Sequence, residues 1–154
     1  MNEETQEAID NAREELKRVD HLIYVSLKYT RTCDIFKSII ERLVNVVGYL
    51  FDAILLDLKE KGKIEELPPQ AGIKCSLIKK HIEDEQILKI VDVYLLWRQM
   101  NRADFERARE YRRHVTMTMY INAEKHEITI DNITEYYKDA KRYLEHVIKH
   151  IQGE

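Results

Sequence analysis

Apolar residues recur through the first thirty positions at spacings of three and four: Ile9, Ala12, Leu16, Val19, Ile23 and Leu27, with Thr30 continuing the row. This spacing lays one apolar stripe along a helix and leaves Glu and Lys on the other side. Glu14 and Arg18, four apart, are expected to pair across one turn. The run Thr30-Arg31-Thr32-Cys33-Asp34 holds no long aliphatic side chain, so a turn is predicted there, with Asp34 or Thr32 as the next N-cap. From about Asp34 to Lys61 the apolar set widens, from Ile35 and Phe36 through Leu43, Val47, Leu50 and Phe51 to Leu58. So broad a face predicts a central helix with two neighbours or a partner chain. Gly48 interrupts it at a cost of about 1 kcal/mol relative to Ala. It is either tolerated or required by close approach of another helix.

The clear break lies between Gly62 and Gly72, where Pro68-Pro69 cannot continue a helix. A short helix is predicted over Ile73–Lys80. Another starts at Glu83 or Asp84, carries Ile87, Ile90, Val91, Tyr94 and Trp97, and ends near Asn101. Asp104 is expected to open one more, through about Arg113. Between Val115 and Ile130 the period changes to two: Met117, Met119 and Ile121 alternate with Thr116, Thr118 and Tyr120. A small β-hairpin turning at Asn122–Lys125 is the expectation, and continuing helix is the competing reading. The last helix carries Ile133, Tyr137, Ala140, Leu144, Val147 and Ile151. Asp131 or Asn132 is expected to cap it, and Asn132-Ile133-Thr134-Glu135 has capping-box spacing. The expected fold is therefore all-α: an antiparallel bundle of four to five main helices, with a small β-hairpin before the last, in a single domain over 1–154.

Composition narrows the function classes. The 154 residues include only 4 Gly and 2 Pro, too few for a turn-rich β protein, and 34% are charged. The 18 Ile against 8 Ala, with abundant Lys and Glu, is a composition seen in thermophile proteins. No stretch is long and apolar enough for a membrane span, and the acidic start, Met1-Asn2-Glu3-Glu4, is unlike a signal peptide, so a cytoplasmic protein with no membrane partner is expected. Cys33 and Cys75 fit no metal or redox spacing, and are expected as reduced, packed thiols, with an internal disulfide as the minor alternative. No Gly-rich phosphate loop and no nucleophile elbow is present.

Charge is distributed unevenly. The net charge is −3, yet six of the 11 arginines, Arg98, Arg102, Arg107, Arg109, Arg112 and Arg113, fall within sixteen positions that hold only three acids. Arginine recognises phosphate through a planar fork of donors, so this stretch is a candidate RNA- or nucleotide-phosphate site. The alternative is a solvated helix face laced by pairs such as Arg102–Glu106. Tyr94, Trp97, Tyr111 and Tyr120 flank the stretch and are candidates either for stacking on bases or for packing.

Within this stretch, Arg109-Glu110-Tyr111-Arg112-Arg113-His114 resembles the R-x(4–6)-H motif of HEPN domains, which are compact bundles of four or five helices. The resemblance in helix order covers residues 5 to 150. The position after the motif arginine, commonly Asn, Asp or His in that family, is Glu110 here, and a hairpin before the last helix would be an insertion. The resemblance implies a metal-independent endoribonuclease without cofactors, often built across a homodimer. Arg109 would hold the scissile phosphate, and His114 would move a proton at the ribose 2′-hydroxyl or the leaving oxygen. Arg98, Arg102, Arg112, Arg113 and Tyr120 would contact the remaining RNA. The alternative implied is a non-catalytic dimeric module, paired through apolar helix faces or partnering a nucleotidyltransferase. On a regular helix five residues turn through about 140°, which would separate Arg109 from His114. His146 and His150, four apart, have metal-binding spacing, but the sequence indicates no third ligand.

Overall fold

The stripe that begins at Ile9 forms one long helix with a defect near its end. In the computed structural model, which describes residues 1–153, α1 spans Glu3–His21, passes through a π-helical turn, Leu22–Ser26, and ends in a last α turn, Leu27–Tyr29. Ile23 and Leu27 stay buried across the defect, whereas Tyr24 and Val25 are turned out to solvent. Thr30 lies beyond the helix, in extended backbone. Four further helices follow: α2, Cys33–Glu60; α3, Ala71–His81; α4, Glu85–Arg102; and α5, Ile130–Gln152.

α2 is the central helix and packs on α1, α3, α4 and α5. Phe36, Leu50 and Phe51 are buried inside this arrangement, so the wide apolar face is enclosed by the chain's own helices. The Glu15 carboxylate, itself buried, ties α1 to α2 by accepting from Arg18, Arg42 and Asn45. Arg18 thus bonds Glu15 and not Glu14, which pairs with Lys17 at 3.2 Å. Buried carboxylates persist only with such partners. Both cysteines are free and buried. No helix among the described residues is long and apolar enough to cross a membrane.

Between α4 and α5 the chain forms a three-stranded antiparallel sheet in the order β1 (Glu106–Ala108), β2 (Thr116–Ile121), β3 (Glu124–Ile128). Met117, Met119 and Ile121 point into the core, and Met119 pairs with His126 across the ladder. The β2–β3 turn is tighter than expected. Only Asn122 and Ala123 form it, at φ 51° and 66°, the two positive angles of a type I′ hairpin. The helix expected from Asp104 to Arg113 does not form; strand β1 and an irregular turn take its place, and the Arg102–Glu106 pair is absent from the ion pairs of the described residues. The α5 cap is also displaced. Thr129 is the N-cap and Asn132 stands at the third helical position, where the two side chains bond reciprocally.

Candidate functional site

The segment Arg109–Val115 joins β1 to β2 and is held against the start of α2. Thr32, the N-cap of α2, makes no side-chain cap bond. The missing acceptor comes from 77 residues away: the Cys33 amide donates to the Glu110 carboxylate at 3.0 Å. A carboxylate there also meets the positive end of the helix dipole. Arg107 bonds Asp34 at 2.8 Å and Glu110 at 3.4 Å. The Arg107 guanidinium beside Asp34 holds its carboxyl below the usual carboxylate range. The Tyr111 amide donates to the Arg31 carbonyl at 2.7 Å. Burial, followed by the nearby Glu110 charge, pushes the Cys33 thiol up.

So anchored, the turn takes unusual backbone angles. Arg109 and Tyr111 sit at φ 55° and 65°, in the left-handed region that non-glycine residues seldom adopt. The geometry carries Arg109, Arg113 and His114 to one cleft of about 430 Å³, which they line together with Arg31, Thr116, Glu127, Thr129, Ile130 and Asp131. The separation expected of a regular helix therefore does not apply to Arg109 and His114. Neither Arg31, Arg109 nor Arg113 enters an ion pair among the described residues, and Glu127 pairs with Lys125 at 3.0 Å. The start of α5 also belongs to the cleft. Its cap satisfies the Asn132 amide, and the amides of Ile130 and Asp131, at the first two helical positions, have no acceptor within the helix. Three guanidiniums and a helix N-terminus outnumber the two carboxylates of the lining, Glu127 and Asp131, and leave an environment suited to an oxyanion.

The other predicted residues fall outside the cleft lining. Arg98 lies on α4 with its guanidinium 5.7 Å from the Tyr94 ring centre. Arg102 is in the last turn of α4, where a cation complements the helix dipole. Arg112 is exposed on the turn, and Tyr120 is exposed on β2, opposite the core-facing methionines. Tyr94 and Trp97 are buried packing residues, whereas Tyr111 is 77% exposed. Arg31 enters the sequence reading only as a turn residue, Thr116 and Thr129 only within the stretch of period two, and Asp131 only as a cap, because no spacing along the chain links them to Arg109.

His146 and His150 meet Asp84. The carboxylate of Asp84 caps α4 through the amides of Gln86 and Ile87 and lies 2.9 Å from His146 Nε2 and 3.7 Å from His150 Nδ1. Partial burial works to raise the Asp84 carboxyl, but the His146 hydrogen bond and the Ile87 amide outweigh it and hold the group below its ordinary range. Among the described residues no group of three or more His, Cys, Asp or Glu is placed to hold a metal ion. Comparison with family models, with curated proteins and with solved structures finds no match to this chain.

Proposed function

We propose that the Arg109–His114 cleft binds the phosphate of RNA or of a nucleotide, and that the protein is a HEPN-like, metal-independent endoribonuclease. The observation that carries this reading is the convergence of Arg109 and His114 on one cleft with Arg31, Arg113 and the start of α5. Arg109 holds the scissile phosphate and offsets the charge that builds on its oxygens. His114 takes the proton of the ribose 2′-hydroxyl or gives one to the leaving 5′-oxygen, and solvent water handles the other transfer. The 2′-oxygen bonds to phosphorus, the bond from phosphorus to the 5′-oxygen breaks, and the products are a cyclic phosphate and a 5′-hydroxyl end. The nucleophile comes from the substrate itself, so the reaction requires no cofactor. Arg112, Arg102 and Tyr120, all exposed, and Arg98 on α4 are proposed to contact the strand beyond the cleft.

The test is incubation of mixed RNA with the protein in EDTA. Wild type is expected to release fragments with cyclic phosphate ends, and His114→Ala to slow this by roughly 10²- to 10⁴-fold. Intact RNA in both reactions would remove the catalytic reading.

A second reading is a non-catalytic dimeric module or a partner of a nucleotidyltransferase. It is favoured by two large aromatic side chains left exposed, Tyr29 and Tyr111 at 77% each, which stand two residues along the chain from the cleft-lining Arg31 and Arg109. These, and not the enclosed face of α2, would supply the contact. Intact RNA together with a dimer in sedimentation velocity would favour it.

A further inference from the structure

Most of the cations packed around the start of α2 have partners of their own. Arg107 is bonded to Asp34 and Glu110, Arg42 to Glu15, and Lys37 to the Asn101 carbonyl at the end of α4. Arg31 differs. It lines the 430 Å³ cleft, enters no ion pair among the described residues, and has an Nε shielded from solvent with no hydrogen-bond partner. Buried donors are nearly always satisfied, so an unpartnered one in a partly buried arginine needs a reason. Packing would be served as well by a side chain without the charge. Two carboxylates line the same cleft, but Glu127 is paired with Lys125 and Asp131 makes no ion pair with Arg31 among the described residues, so this guanidinium, beside a helix N-terminus and two other arginines, is instead suited to an anion that enters the cleft.

Position supports this. Arg31 lies in the connection between α1 and α2, far from Arg109 in sequence. One bond joins that connection to the turn directly, the Tyr111 amide to the Arg31 carbonyl at 2.7 Å, and two more fix the adjoining start of α2, the Cys33 amide to Glu110 at 3.0 Å and Arg107 of β1 to Asp34 at 2.8 Å. The backbone of Arg31 is thereby set relative to Arg109 before anything binds, and preorganised donors cost little ordering when an anion arrives. We propose that Arg31 is a further phosphate-binding residue of this cleft, gripping the RNA phosphate from a second chain segment. The proposal rests on the phosphate-binding reading given above.

The experiment is fluorescence anisotropy of a short labelled single-stranded RNA with the full chain over a series of NaCl concentrations. Arg31→Gln is expected to weaken binding by about 10-fold or more, as loss of a charged hydrogen bond does. It should also flatten the slope of log affinity against log salt by about 0.7, the value for one phosphate contact on a single strand. Arg31→Lys should restore the slope and only part of the affinity, because it keeps the charge and loses the planar fork. A merely structural arginine would lower thermal stability and leave the slope unchanged, which overturns the proposal. Wild-type affinity and slope in Arg31→Gln, alongside weakened binding in Arg109→Gln, would overturn it and leave the cleft reading standing. No binding by wild type would overturn both. Should Arg31→Gln fail to fold, the Nε–Hε resonance of Arg31 in the wild-type protein decides: it should shift as the RNA is added, and an unmoved signal counts against the proposal.

Discussion

Arg109 holds a backbone angle that its side chain does not favour. At φ 55° a non-glycine residue carries a strain of roughly 1–3 kcal/mol, and Tyr111 at 65° adds another. The neighbouring bonds keep the turn in place: Glu110 to the Cys33 amide and the Tyr111 amide to Arg31. Glu110, the departure from the HEPN pattern, thus has a structural task as a helix cap supplied from a distance. Such strain is tolerated where a side chain must be delivered to a particular place. Arg109→Gly is therefore expected to leave stability unchanged or to raise it by up to about 1 kcal/mol, while RNA binding falls. Thermal unfolding and anisotropy on the same samples check this; a destabilised variant with undiminished binding would contradict it.

Helices were legible where burial repeats with the helical period. The α2 boundary at Cys33–Glu60 and the α4 start after Asp84 both agree with the cap and stripe readings. Gly48 is a tolerated glycine and no close approach requires it: a Cβ added there would meet the Tyr94 hydroxyl at 3.8 Å, an ordinary contact. Gly48→Ala should stabilise the protein by about 0.5–1 kcal/mol in urea unfolding, and a loss would mean that the contact is tighter than this. Strand β1 was not legible, because Glu106, Arg107 and Ala108 are all exposed and carry no apolar alternation. The following turn reads as a solvated helix for a similar reason. What overrides local propensity is tertiary: Arg107 and Glu110 are drawn to the start of α2. The pair Arg109–His114 was visible as a motif, but Arg31, one cation in a turn, acquires meaning only when distant segments meet.

Two junctions relate the parts of the molecule. Asp84 links the start of α4 to α5 through His146, and its carboxyl is held below the ordinary range by bonds that outweigh its burial. A lowered carboxyl stabilises the fold above its unfolded-state value and ceases to do so as pH falls through the folded one. The stability difference between wild type and Asp84→Asn should therefore be present at neutral pH and shrink below about pH 4 in thermal melts. A difference that stays constant into acid would contradict this. The other junction joins the α1–α2 connection to the arginine turn and forms the cleft, where three arginines meet two carboxylates on a chain whose net charge is −3. An RNA phosphate is proposed to enter there. Amide chemical-shift mapping with a short single-stranded RNA in EDTA tests it most directly. The shifts should concentrate on Arg31, on residues 109–116 and on Thr129, Ile130 and Asp131; an unshifted spectrum, or shifts confined to the groove lined by Leu16, Tyr137 and Leu144, would contradict it.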